Sequence, residues 1–221
     1  MLEIPFYLCL GAVAGIFAGL FGVGGGIVFV LALLLGFEWL KMEESVLTHL
    51  AVGTSLACVI FTAISSALAH HRKQSVIWKS VKDMSGFLIL GAVLGAWTAD
   101  QLSGFILQLI LGSFLLVMAT KFLLEKRSEI ESPKGSDPAG VVSAVMGLAT
   151  GWISSMLGIA GGALTVPFLK AHGMPIKKAI GTASALGLCI AVAGSVTFFL
   201  AAKDNEDLPG WSLGYVYLPA F

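Results

Sequence analysis

The feature that most constrains this chain is a glycine-broken apolar stretch, G-I-F-A-G-L-F-G-V-G-G-G at positions 15–26, which returns as G-W-I-S-S-M-L-G-I-A-G-G at 151–162. Glycine inside a helix costs about 1 kcal/mol relative to alanine, so three in a row amid apolar sequence mark a break with exposed backbone. The surrounding runs, 4–37 and 139–169, carry no charge. A fully helical 4–37 would measure about 50 Å against a hydrocarbon core of about 30 Å, too long for one straight span and too short for two. A broken, tilted crossing or a re-entrant hairpin fits such a run. Two breaks in matching places point to a site built between two halves of one protein.

Composition supports the membrane setting. Hydrophobic residues make up 57% of the chain and charged residues 12%, with a mean hydropathy of +0.93, whereas soluble domains carry about 25% charged residues. This is the composition of an integral membrane protein, with the lipid bilayer as its first partner. Thirteen basic and thirteen acidic residues balance, so net charge gives no reason to expect a nucleic-acid partner. Cys9, Cys58 and Cys189 lie scattered in apolar segments, which predicts buried small hydrophobes and no metal cluster. The amino terminus lacks the positive flank of a cleavable signal, so residue 1 onward is read as mature structure.

After the first glycine segment come Glu38, Lys41, Glu43 and Glu44, then ordinary spans at 45–69, 84–99 and 102–120. The loop between the first two of these, with His70, His71, Arg72, Lys73, Lys79 and Lys82, is cytoplasmic by the positive-inside tendency, as is the end marked by Lys121. The charged, Ser/Pro/Gly-containing segment 125–138 reads as a cytoplasmic linker between a first transmembrane repeat, 1–124, and a second, 139–221. In the second, Lys170, Lys177 and Lys178 precede a full span at 179–202. An acidic loop, 203–207, then leads to a new apolar segment.

Laid over each other, the halves match at an offset of 136 residues: Gly15 with Gly151, Gly22 with Gly158, Gly25 with Gly161 and Gly26 with Gly162. Further on, A-V-G-T-S-L at 51–56 corresponds to A-I-G-T-A-S at 179–184. Repeats of this kind build secondary transporters whose sites lie between the halves near the midplane. The loop after the first glycine segment is acidic and its counterpart basic; the next pair of loops reverses. Both comparisons predict an inverted repeat. With three spans between them, each glycine segment must then begin and end on the same side. The expected fold is therefore an all-α polytopic membrane protein with two inverted repeats, each starting in a glycine-broken, re-entrant helical hairpin. The second repeat is expected to continue past Phe221 to supply its last spans.

Backbone outside regular helix must be buried in protein or line a wet cavity at membrane depth. A glycine break at the start of a half-helix offers bare N–H groups and a positive helix end, an anion site. The candidate substrate-binding residues are Gly24, Gly25, Gly26, Gly161 and Gly162, with the hydroxyls of Thr54, Ser55, Thr182 and Ser184 as uncharged donors. Thr54 and Thr182 could equally bond the carbonyl four residues back. Gly11, Gly15 and Gly19 have the spacing of close helix packing. His49, about one turn before Gly53, is the ionisable group nearest the site and the candidate protonation site, an interfacial helix-end role being the plainer reading. No nucleophile with a base, metal cluster or phosphate loop is present: G-V-G-G-G lacks the following Lys-Ser/Thr. Neither an enzyme nor a cofactor is expected.

The motifs G-L-F-G-V-G-G-G-I-V, A-V-G-T-S-L, S-S-A-L-A-H-H-R-K and G-I-A-G-G-A-L-T-V-P-F-L resemble the TauE/SafE family of membrane permeases, the sulfite exporters, over essentially the whole chain. The resemblance implies a bacterial or archaeal inner-membrane exporter of sulfite, organosulfonates or related small sulfur anions, using a coupling proton or sodium ion and working alone or as a homo-oligomer. It also implies importance for Gly24, Gly25, Gly26, Thr54, Ser55, Gly161, Gly162 and Thr182. Leu31 departs from the pattern, standing where such proteins often place a proline, matched here by Pro167 in the second copy. The alternative is a passive anion or small-solute channel built from two half-membrane hairpins.

Overall fold

A computed structural model describes residues 3–21, 25–124, 140–202 and 208–221. Its helices are α1 (Glu3–Phe21), α2 (Gly26–Trp39), α3 (Glu44–Arg72), α4 (Trp78–Asp100), α5 (Gly104–Leu124), α6 (Gly140–Met156), α7 (Gly162–Ala171) and α8 (Ile176–Ala201). Of these, α3, α4, α5 and α8 are long and apolar enough to cross a membrane. The protein is an all-α polytopic membrane protein, and large apolar side chains such as Leu8, Ile16, Phe61, Phe105 and Leu116 stand exposed on its outer surface. The linker 125–138 and the acidic loop 203–207 lie outside the described residues.

Helices α3 and α8 cross at the centre. Ser66 donates a hydrogen bond to Ser184 at 3.0 Å, and a Cβ on Gly194 would stand 2.9 Å from Leu56 Cδ1. As position numbers rise along α3 they fall along α8, so the two helices are antiparallel. The two contacts are also images of each other, because Leu56 corresponds to Ser184 and Ser66 to Gly194 at the offset of 128 that aligns A-V-G-T with A-I-G-T. The exchange recurs at the loops. Gly53 admits the backbone of Tyr215, and Gly181 admits that of Ser75. Thr54 Oγ1 accepts the N–H of Tyr217 at 2.9 Å, and Thr182 Oγ1 that of Ile77 at 3.0 Å. Each half therefore braces the chain that follows the central helix of the other half, and the halves are related by inversion.

Each glycine segment is a hairpin. In the first, Phe6 at the start of α1 stacks on Trp39 at the end of α2, with ring centroids 4.9 Å apart, and Tyr7 meets Phe37 at 6.0 Å. In the second, α6 runs parallel to α4: Gly147 faces Met84 O and Phe87, Gly151 faces Leu88, Gly91 faces Leu148 and Gly95 faces Trp152. The start of α6 is thereby level with the start of α4. The chain leaving α7 passes directly into α8, whose Gly181 lies against Ser75 beside that same start of α4. Both ends of the α6–α7 hairpin thus lie on one side.

This arrangement gathers Arg72, Lys73, Lys79, Lys82, Lys121, Lys170, Lys177 and Lys178 at one end of the bundle and Glu38, Glu43, Glu44 and Asp100 at the other. The basic end is cytoplasmic by the positive-inside tendency. The basic loop is shorter than the sequence suggests: α3 runs on through Arg72 and α4 starts at Trp78, so Lys79 and Lys82 lie on the first turns of α4.

Three other expectations change. The apolar segment after the acidic loop opens as a two-stranded hairpin, Ser212–Leu213 with Val216–Tyr217, and a 3₁₀ turn at Leu218–Ala220. Gly214, at φ 58°, makes the reversal, and extended backbone is the form that fits against Gly53. Cys9 is exposed and Cys58 and Cys189 are partly exposed, since an apolar outer surface accepts a thiol as readily as the core does. Gly11 and Gly15 have no described neighbour within 4 Å of where a Cβ would stand. Their counterparts Gly147 and Gly151 take the backbone of α4, whereas α1 lies against the 3₁₀ turn, beside an apolar groove of about 550 Å³ between α1, α2, α3 and that turn.

Two outcomes test this fold. Gly91→Val should destabilise the protein by about 1–3 kcal/mol, because the new side chain overlaps α6 backbone, whereas Gly86→Val on the same helix, with nothing within 4 Å, should leave the unfolding midpoint unchanged. Single cysteines at Glu38 and Lys170 should react with an impermeant maleimide from opposite faces of the membrane; reaction of both from one face contradicts the inversion.

Candidate functional site

The two glycine breaks meet. Gly26 opens α2 in a buried position, and a Cβ there would stand 2.7 Å from Ile159 Cα and 2.9 Å from Gly158 O. Gly158 itself, at φ 73°, packs against Val30 and Val52. Only glycine lets two irregular backbones approach this closely. Ser55 closes the junction. Its hydroxyl is fully buried and points at two carbonyls, Gly158 O at 2.9 Å and Gly26 O at 3.2 Å. Gly26 O, on the first turn of α2, also takes a helical N–H, but Gly158 O lies outside any helix and without Ser55 would be orphaned in an apolar interior, at about 1–3 kcal/mol. Ser55 lies eleven residues into α3, about 16 Å from that helix end, which puts the junction near the midplane of a core about 30 Å thick.

The candidate residues therefore occupy different places. Gly26 and Ser55 meet Gly158–Ala160 at the junction, and Gly25 immediately precedes α2 there. Gly24 lies outside the described residues. Gly161, at φ 71°, precedes α7, and Gly162 begins it. Thr54 and Thr182 sit on the central helices and hold loop N–H groups of the opposite half, not the carbonyl four residues back. Ser184 donates to Ile180 O at 3.0 Å while accepting from Ser66, at the α3–α8 crossing. The protons of Ser55 and Ser184 are thus engaged by carbonyls, and hydroxyl donors for a ligand have to come from elsewhere.

His49 is buried on α3. Its Nε2 lies 2.9 Å from Ala99 O at the end of α4; a carbonyl only accepts, so Nε2 carries the proton. The ring stacks on Tyr215 at 5.1 Å, and Nδ1 has no partner. Among the described residues no Asp, Glu, Lys or Arg is buried, and no group of His, Cys, Asp and Glu is arranged to hold a metal ion.

Sequence reasoning passed over a second set of hydroxyls. Ser154, Ser155 and Thr165 are buried with no hydrogen-bond partner, and Thr150 lies beside Ser154 against Gly161. The signal was present in S-S at 154–155 and in A-L-T at 163–165, inside the very motifs quoted for their glycines. Helix α7 starts without a side-chain cap. The N–H groups of Leu164 and Thr165 bond Gly161 O, and a Cβ on Gly162 would meet nothing within 4 Å. Open space, an uncapped helix end and unpartnered hydroxyls therefore coincide on the second repeat.

Comparison with known proteins agrees with this architecture. Residues 7–221 match the family described as Sulfite exporter TauE/SafE. A relative from Haemophilus influenzae named "Probable membrane transporter protein" is 36% identical over 215 residues, covering 96% of this chain and 81% of the relative. Proteins whose names begin with the same words in Methanocaldococcus jannaschii and Bacillus subtilis are 26% and 27% identical, covering 99% and 89% of this chain and 80% and 78% of their own lengths. No solved structure matches. The protein is a multi-pass membrane transporter, and the chain belongs to the sulfite exporter TauE/SafE family.

Proposed function

We propose that this transporter is a secondary exporter of sulfite, an organosulfonate or a related small sulfur oxyanion, which binds between the two glycine breaks and is released by alternating access. The observation that carries the reading is the junction itself: irregular backbone from both halves meets at mid-depth, between antiparallel helices, next to an uncapped helix start. Gly24, Gly25 and Gly26 on one side and Gly161 and Gly162 on the other present backbone to the ligand. Ser55 holds the two sides together, and Thr54, Thr182 and Ser184 fix the helices that carry them. The family description supplies the sulfur anion as the expected ligand.

The charge distribution suits export. A basic end concentrates anions at the cytoplasmic mouth, and an acidic end disfavours their return. The family resemblance supports an exporter of the inner membrane of a bacterium or archaeon, working as a single chain or a homo-oligomer. A proton or a sodium ion is the candidate coupling ion; for a proton, Nδ1 of His49 is the available buried acceptor. The two half-membrane hairpins also favour a second reading, a passive anion or small-solute channel, because their tips abut in the manner of a fixed pore.

Proteoliposomes separate these readings. Saturable sulfite counterflow is the expected result; an unsaturable conductance would establish the channel, and no movement of any sulfur oxyanion would remove both. Gly162→Val should abolish flux while leaving the unfolding midpoint in place, since a Cβ there meets nothing within 4 Å and the new side chain extends into open space. Wild-type flux in that variant contradicts the site. Ser55→Ala should lower stability by about 1–3 kcal/mol in thermal or denaturant unfolding, by orphaning Gly158 O at the junction.

A further inference from the structure

We propose that the hydroxyl donors to the oxyanion come from one repeat only: Ser154 and Thr165, with the first amides of α7, form a cradle that takes a monoanion and whose hydroxyls have no counterpart in the first repeat. The assignment rests on the exporter reading above and names the donors and charge state of its ligand.

The cradle is built from independent features. Ser154 is fully buried, its Oγ has no partner, and it reaches to 3.2 Å from where a Cβ on Gly161 would stand, at the residue before α7. Thr165, on the first turn of α7, is 1% exposed and likewise unpartnered. The helix has ten residues and no side-chain cap. Leu164 and Thr165 close the first turn on Gly161 O, which leaves the N–H groups of Gly162 and Ala163 directed out of the helix end, beside the open space at Gly162. Buried hydroxyls are ordinarily hydrogen-bonded. Two of them at a bare helix start describe a site whose partner is the ligand.

At the repeat offset, Thr150, Ser154 and Thr165 correspond to Ala14, Ala18 and Phe29. The first repeat therefore carries no hydroxyl at any of these positions and has a phenyl ring at the last. Ser155, also unpartnered, differs from Ser154 in direction, because its Oγ lies toward Gly194 on α8. The junction is shared between the halves, but the hydroxyl donors are not.

Charge selects the ligand. No described Lys or Arg is buried, so the only positive potential in the cradle is that of the helix end, about half an elementary charge. That balances a monoanion far better than a dianion. Hydroxyls can also accept, so the O–H of a protonated oxyanion such as hydrogensulfite finds an acceptor in Ser154 or Thr165.

The test is ligand-dependent thermal unfolding of the purified full chain, with sulfite, methanesulfonate and sulfate as probes. Sulfite and methanesulfonate should stabilise the wild type and sulfate should not, and the effect of sulfite should fade as pH rises and converts it to the dianion. Ser154→Ala and Thr165→Val should each raise the sulfite concentration for half-maximal stabilisation at least tenfold, with ligand-free midpoints no lower than wild type. Ser154→Thr and Thr165→Ser, which keep the hydroxyl, should restore binding, and Ser113→Ala on the exposed face of α5 should change nothing. Wild-type sulfite response in both hydroxyl-deleted variants overturns the cradle while leaving the exporter reading intact. Equal stabilisation by sulfate overturns the monoanion. Absence of any response in the wild type overturns the oxyanion reading and the cradle with it.

Discussion

A broken helix at mid-depth in a membrane has to satisfy its freed backbone from inside the protein, because hydrocarbon offers no partners and each orphaned group costs several kcal/mol. In this protein the requirement is met by bringing the two breaks together. Gly26 and Gly158 have no side chains to keep their backbones apart, and one hydroxyl, from Ser55, addresses a carbonyl from each. The rest of the bundle follows from that junction. The hairpin tips must come to the centre from opposite sides, so the halves must be inverted, and α3 and α8 must cross antiparallel beside the tips. Each hairpin then reaches only part-way across, and the crossing helices supply the full spans.

The contacts that make the scaffold are paired by the inversion. Gly53 with Tyr215 mirrors Gly181 with Ser75, Thr54 with Tyr217 mirrors Thr182 with Ile77, and Leu56 with Gly194 mirrors Ser184 with Ser66. The polar groups inside the junction are not paired. Ser55 has Ala183 as its counterpart, and Ser154 and Thr165 have Ala18 and Phe29. A scaffold of two equivalent halves can rock between two mirror-related states at little difference in free energy, the property alternating access relies on. A binding site gains nothing from duplication when one ligand passes at a time, so its residues are free to diverge between the copies.

The same division explains what could be read in the sequence. The glycine runs, the repeat, the inversion and the hairpins were legible because each rests on residue type and period: glycine where backbone must bend or approach, charge at loop ends, uncharged runs of a length that fits no simple span. The roles of individual hydroxyls were not legible. Thr54 and Thr182 stand in matching A-x-G-T motifs, but whether a hydroxyl meets a ligand, its own helix or a loop from the other half depends on tertiary partners such as Tyr217 and Ile77, more than a hundred positions away. Ser154 and Thr165 drew no notice beside the glycines, and their mark as candidates, burial without a partner, exists only in three dimensions. Gly11 and Gly15 show the converse. Their spacing is that of helix packing, yet among the described residues nothing packs there.

The absence of buried cations from the described core bears on turnover as well as on selectivity. A lysine or arginine at this depth would itself be costly to bury, and once paired with an anion it would form a charge-assisted contact about twice as strong as a neutral one. A carrier's ligand must leave on every cycle, and favourable entry has to be matched by ready release. Neutral hydroxyls and helix-end amides bind an oxyanion through several moderate bonds, each of which water can replace when the site opens. Most of the described cationic side chains stand instead at the cytoplasmic end, Arg72, Lys73, Lys170, Lys177 and Lys178 all being exposed. For the oxyanion substrate proposed above, they would raise the local anion concentration without contacting the bound anion. On that reading attraction over distance is separated from contact at the site, which would let the protein collect an anion strongly and hold it weakly.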